Sequence, residues 1–392
     1  MKTSTIKTEL SKNARQYTMV LILVAIAIVF AILTGGTFLT SRNISNLFLQ
    51  ASAIGIVAIS VSLVLVAGEI DLSIGSCVGL TGAVAATLMV NMGWSIIPTI
   101  LVTVAVGVGI GCWQGFWVAF RKVPSFIVTL AGSLIFRGIV YGITRGMTIA
   151  PMTDEFKAIG QGYIPPIFSA EGSGFNDTAI IIGVVICVIF AVMQIRQENS
   201  RKRYHLGVAP KGMLIAKIVI VSIVVIGIMA ILSLNLGLSY AFLLLIILAV
   251  LFSFISNNTA FGRQIYAIGG NREAARLSGI NIKKRLFLLF VVMGTMCAAS
   301  GIVYTARINA GTAAAGQNME LDAIAAAVIG GTSTMGGEGS VFGAVIGALI
   351  MTAIDNGMSL MNLDNTFQYV VKGLVLLLAV WMDVATRKKV TS

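Results

Sequence analysis

Charge is what this chain has least of. Of its 392 residues only 11% are charged, against 57% hydrophobic, and the mean hydropathy is +0.96. Soluble domains carry about a quarter charged residues, so the deficit excludes a soluble globular chain and argues for a polytopic membrane protein. Histidine is nearly absent: His205 stands alone in a basic loop, where it reads as a solvated side chain. The four cysteines, Cys77, Cys112, Cys187 and Cys297, all lie within apolar runs. They read as small packing residues, not as disulfides or metal ligands. No Cys/His ligand set, paired acid/base arrangement or nucleophile elbow is present, so neither a catalytic residue nor a metal site is expected.

A phosphate-gripping loop is missing as well. The stretch from Gly330-Gly331 through Gly336-Gly337 to Gly339 has the glycines but lacks the Gly-Lys-Ser/Thr ending that holds phosphate and magnesium. The chain is therefore not expected to hydrolyse ATP. Gly107-x-Gly109-x-Gly111 with Gly115 sits inside an apolar run, without the βαβ unit that a dinucleotide fingerprint needs. Glycines spaced by four, at 107, 111 and 115 and again at 343 and 347, suit helix-packing faces, because small residues let backbones approach closely.

What the chain does have is a succession of apolar runs long enough to cross a bilayer as helices. They cover about residues 17–33, 51–67, 74–90, 96–120, 126–143, 178–195, 213–232, 238–255, 286–306, 321–331, 341–354 and 367–381. The fold class expected is an all-α polytopic membrane protein with about twelve transmembrane segments. Ten or eleven is the fallback, since 321–331 is short. The formal charge of +12 does not point to nucleic acid, because 20 of the 27 Lys and Arg lie in the tails and in alternate loops, as the positive-inside rule requires. That asymmetry puts both termini in the cytoplasm. It divides the chain into a tail at 1–16, one transmembrane domain at 17–386 and a second tail at 387–392. Loops at about 196–212 and 257–285 then lie inside, and a longer one at about 145–177 outside.

Two acidic pairs, Glu69-x-Asp71 and Glu320-x-Asp322, each precede a run rich in small residues. Carboxylates are costly at the bilayer centre, so they either line a polar path or cap helix starts at its edge. Both readings stay open. The likeness of the pairs is what an inverted repeat would produce.

A polar island remains, from Ala267 to Ile280, between two greasy runs. Asn271, Arg272, Glu273, Ala274, Ala275, Arg276, Leu277, Ser278 and Gly279 suit a short helix with Asn271 as cap and Gly279 as stop. On the cytoplasmic side, such a helix suits the docking of a soluble partner.

These residues resemble the docking motif of permease subunits in ATP-binding-cassette importers, on Glu273-Ala274-Ala275-x3-Gly279. The fuller string Tyr266–Ile280, together with Gly68–Gly75, Pro124–Leu130, Glu320–Ala325 and Gly330–Ser333, is similar to the branch that imports ribose, xylose and galactosides. The tail Leu376–Thr386 is most similar to members of that branch that carry D-xylose. The resemblance implies a monosaccharide importer of the bacterial inner membrane, D-xylose being the expected cargo and ribose or galactose the alternatives. It also implies a separate cytosolic ATPase holding ATP and Mg, a periplasmic sugar-binding protein and a second permease copy in a lipid bilayer, with no cofactor in this chain. Arg42, Arg145, Lys157 and Arg307 fall outside and are candidates for docking the binding protein. Glu69, Asp71, Glu320 and Asp322 are candidates for the translocation path. An ion-coupled secondary transporter is the more distant alternative, for which Asp355, Lys372 and Asp383 are the titratable groups.

Overall fold

The computed structural model describes residues 2–170, 174–204 and 211–388; His205, residues 171–173 of the long loop and the tail beyond Lys388 lie outside the described residues. Among the described residues there is no strand, only two isolated bridges. In chain order the helices are α1 (Lys2–Leu33), α2 (Ser41–Val66), α3 (Ile74–Ala86), α4 (Ile96–Gly115) and α5 (Ser125–Thr144). Next come α6 (Asp154–Gln161), α7 (Asp177–Arg203), α8 (Lys211–Ser233), α9 (Tyr240–Asn258), α10 (Ala260–Gly270) and α11 (Arg272–Leu277). The last four are α12 (Ile282–Ile308), α13 (Met319–Ile329), α14 (Val341–Leu360) and α15 (Asn365–Lys388). π-Helical turns at Thr87–Asn91 and Phe116–Phe120 extend α3 and α4. The polar stretch expected as a tail at 1–16 is helical from Lys2 and continues into the first apolar run.

Ten of these helices are long and apolar enough to cross a membrane, and Thr18–Leu33 within α1 is a shorter apolar helix. The expected twelfth segment, 321–331, forms α13, which has only 11 residues. At 1.5 Å per residue it is about 16 Å long, roughly half the hydrocarbon thickness. Gly330-Gly331 ends it, with Gly331 at φ +88°.

The chain forms two compact units. The smaller comprises Met1–Ala14, Leu39–Asn46 and Tyr163–Ser239. It is built on α7 packed against α8. Asn176 caps α7 by accepting from the Ala179 N–H, while its amide donates to the carbonyls of Ile164 (2.7 Å) and Leu236 (3.1 Å).

The larger unit comprises Arg15–Phe38, Leu47–Gly162 and Tyr240–Ser392. Its central helix is α12, against which α3, α4 and α6 pack. The expected glycine face is there: a Cβ on Gly107 or Gly111 would run into the backbone of α12 at Gly294 and Phe290. Gly343 and Gly347 of α14 lie in the same way against Gly330 and Ala326. Close backbone approach brings dispersion contacts that two helices in lipid would otherwise lack.

Two irregular stretches, 67–73 and 309–318, lead into the short helices α3 and α13. Irregular backbone between apolar helices needs protein partners for its polar groups, and both stretches have such partners. The N–H groups of Ile70 and Leu72 donate to Ser125 Oγ (3.2 Å) and Thr129 Oγ1 (3.0 Å). Arg137 Nη1 donates to the carbonyls of Ala313 (3.0 Å) and Ala315 (2.7 Å). The stretches meet at Gly75 and Gly316, where a Cβ on either glycine would strike the other's carbonyl.

Candidate functional site

The polar island forms α10 and α11. Asn271 caps α11 by accepting from the Ala274 N–H at 2.9 Å. At the other end the Ile280 N–H returns to the Ala275 carbonyl (3.1 Å), with Gly279 at φ +82°. Only glycine adopts that left-handed conformation without strain, which is why it ends the helix. Ala275 is buried, while Leu277 is 75% exposed at the tip. Arg276 Nε pairs with Glu273 Oε2 at 3.0 Å, and this guanidinium holds the Glu273 carboxyl below the usual carboxylate range.

Arg272 turns the other way. Its Nη1 lies 3.1 Å from Glu69 Oε1, whose side chain is only 8% exposed. Glu69 therefore joins the turn before α3 to α11. It also lines, with Lys122, Arg272, Arg276 and Lys283, a groove of about 640 Å³. With Arg272 paired to Glu69 and Arg276 to Glu273, Lys122 and Lys283 leave that groove net basic, suited to an acidic partner surface.

Gly269 fixes the base of this element. A Cβ there would meet the Val66 carbonyl and the Gly337 N–H, and the Gly337 N–H itself donates to Val66 O (2.8 Å). Tyr266 Oη donates to the Gly339 carbonyl (2.9 Å). The glycine-rich stretch at 330–339 is thus a packing and hydrogen-bonding loop. It is held further by Asp383, whose Oδ2 accepts from Ser333 Oγ (3.2 Å) and the Thr334 N–H (3.2 Å). A push on α11 would reach the ends of α2, α3 and α14 through short backbone contacts and one ion pair.

The two acidic pairs separate in role. Asp71 accepts from the N–H (2.8 Å) and hydroxyl (2.7 Å) of Ser73, capping the approach to α3. Glu320 lies against the first turn of α3 at Gly75, where a helix N-terminus favours a carboxylate. Asp322 is buried and ion-paired to Lys372 at 3.0 Å, and Lys372 also pairs with Asp355 at 2.8 Å. Asp322 and Asp355 line a cavity of about 180 Å³. Glu69 and Asp322 therefore line different spaces.

Of the four outer candidates, Arg42 and Arg145 are exposed, Arg145 in the left-handed region at φ 53°. Lys157 is held by Asp154 at 2.6 Å. Arg307 is partly buried in the wall of the 180 Å³ cavity and is not a free rim charge. The loops sort into two groups by hydrogen bonding. Residues 66–73, 266–272 and 337–339 interlock, as described. Separately, Ile149 and Gly311 exchange two backbone bonds (2.8 and 2.9 Å), and Gln161 Nε2 donates to the Arg307 carbonyl (2.7 Å).

Sequence reasoning missed Arg137 and did not connect Lys372 with its two carboxylates. A signal existed for both: an arginine or lysine inside an apolar run needs a buried partner.

Residues 43–380 match the family described as "Branched-chain amino acid transport system / permease component". The xylose transport system permease protein XylH of Haemophilus influenzae is 44% identical over 379 residues, covering 97% of this chain and 98% of that one. XylH of Escherichia coli K12 is 45% identical over the same length, covering 97% and 94%. The ribose import permease protein RbsC of Escherichia coli K12 is 31% identical over 368 residues, covering 94% and 93%. No solved structure matches. An all-helical chain with ten span-length helices, matched by these proteins over nearly its whole length, is a polytopic membrane protein and belongs to this family of transport permeases.

Proposed function

We propose that this chain is the membrane-spanning permease subunit of an ATP-driven importer and that its cargo is D-xylose. The observation that carries the reading is the 44–45% identity to two xylose permeases across 97% of the chain; the match to a ribose permease is weaker, at 31%. On this reading the chain performs no hydrolysis and carries no cofactor. A separate cytosolic ATPase holds ATP and Mg, a periplasmic protein delivers the sugar, and two permease copies share the bacterial inner membrane.

The basic groove beside α11 is then the cytoplasmic docking surface, with residues 271–279 as its handle. Closure of the ATPase moves α11, and the Arg272–Glu69 pair and the Gly269 contact pass that movement to α2, α3 and the 330–339 loop. Arg42 and Arg145 face the periplasm, where exposed cations steer an acidic partner more than they tighten it.

Uptake in vesicles containing the permease, its ATPase and the binding protein tests this. D-xylose should accumulate in preference to ribose and galactose, cease on ATP depletion and survive collapse of the proton gradient. One observation favours the ion-coupled alternative, the partly buried Asp322–Lys372–Asp355 cluster. Uptake that survives ATP depletion and stops with the gradient would support it instead.

A further inference from the structure

The 180 Å³ cavity in the larger unit is lined by Gln50, Tyr304, Arg307, Asp322, Thr352 and Asp355, among others. Three of its lining residues carry a buried polar atom without a hydrogen-bond partner among the described residues: Thr352 Oγ1, Asp355 Oδ1 and Arg307 Nε. Thr352 is only 2% exposed. Buried polar groups are nearly always satisfied, and each one left unpaired is destabilising. Three around one cavity point to a ligand that completes them.

Their chemistry defines that ligand. Arg307 Nε can only donate, Asp355 Oδ1 as a carboxylate can only accept, and Thr352 Oγ1 can do either. A molecule bearing several hydroxyls meets all three, since each hydroxyl donates and accepts. The formal charges around the space cancel: Asp322 and Asp355 are balanced by Lys372, which pairs with both, and by Arg307. A neutral ligand leaves that balance intact, whereas an ion of either sign would be buried against it. Gln50 and Tyr304 also line the cavity.

We propose that this cavity is a sugar-binding station within the permease itself, holding a neutral monosaccharide through Arg307, Thr352 and Asp355. Sugar selection is then made a second time here, after delivery. This inference rests on the sugar-permease reading above and adds to it a site and its residues. It also assigns Arg307 to the sugar and not to binding-protein docking.

The test uses the complete complex in proteoliposomes, with D-xylose and its monodeoxy analogues as probes. Thr352→Val removes the hydroxyl at constant shape, and Thr352→Ser restores it. Thr352→Val should raise the KM for D-xylose uptake about three- to tenfold, the size of one lost hydrogen bond. The discrimination against at least one deoxy analogue should shrink in the same proportion, because the group that reads that hydroxyl is gone. Thr352→Ser should recover both. Gln50→Leu, on a different helix, should independently change the ratio of D-xylose to ribose uptake, so the prediction stands even if the Val variant fails to assemble. Wild-type KM and wild-type analogue ratios in assembled Thr352→Val, or in assembled Gln50→Leu where the Val variant does not assemble, overturn the station while leaving the permease function intact. Failure of the unaltered complex to take up any sugar overturns the function itself.

Discussion

Arg272 and Glu69 are separated by 203 positions in the chain, yet their side chains meet at 3.1 Å. The arginine belongs to the short helix proposed to receive the ATPase. The glutamate belongs to the turn that opens α3. Their pairing ties the docking element directly to the transmembrane helices.

Breaking this pair should uncouple more than it unfolds. Arg272 is half exposed and Glu69 is buried, so the pair stabilises by about 1 kcal/mol or less on the arginine side. Glu69→Gln should lower sugar transported per ATP hydrolysed by roughly fivefold or more, the lower end of typical coupling energies. The exchange Glu69→Arg with Arg272→Glu should recover part of it. Equal transport-to-hydrolysis ratios in Glu69→Gln and the unaltered complex would rule out the pair as a coupling link.

Gly279 and Gly269 should respond differently. At Gly279, where φ is +82° and nothing lies within 4 Å, a side chain adds backbone strain of roughly 1–2 kcal/mol and no clash. Gly279→Val should insert normally but bind the ATPase more weakly in a pull-down. Normal assembly and transport would show that the helix end is not part of the docking surface. Gly269→Ala strikes the Val66 carbonyl, so it should lower the thermal midpoint of the detergent-solubilised permease as well.

Lys372 is predicted to be structural first. Removing it leaves the buried Asp322 and the half-buried Asp355 without their cation, and breaking a fully buried pair typically costs about 3–5 kcal/mol. Lys372→Met should therefore sharply reduce the folded yield, and adding Asp322→Asn and Asp355→Asn should restore folding. Recovery of folding without recovery of uptake would separate the stabilising role of the cluster from its place beside the cavity.

Arg145 is exposed and outside every ion pair described. Arg145→Glu should reduce the stimulation of ATP hydrolysis by the binding protein, most clearly at low salt where surface charges are least screened. Unchanged stimulation would remove it from the docking surface. Lys157→Ala should have the smaller effect, because Asp154 already holds that ammonium.

Local pattern accounts for much of this protein. Apolar runs longer than the bilayer demand helices, because nothing else satisfies backbone there. Asn271 and Gly279 bracket a helix by their own conformational preferences, and glycines spaced by four mark the faces where α4 and α14 approach their neighbours. These features act within one or two helical turns, and they were legible for that reason. The roles of the acids were not. Glu69 and Asp322 look alike in sequence, each in an acidic pair before a small-residue run. One became the anchor of α11 and the other the partner of Lys372, according to which distant helix happened to pack beside it. Arg137 serves carbonyls 176 and 178 residues away, and α13 stops after 11 residues because Gly330-Gly331 turns the chain there and α14 packs over it. Such pairings depend on how helices far apart in the chain come together, and a local pattern of apolar and polar residues carries no record of that.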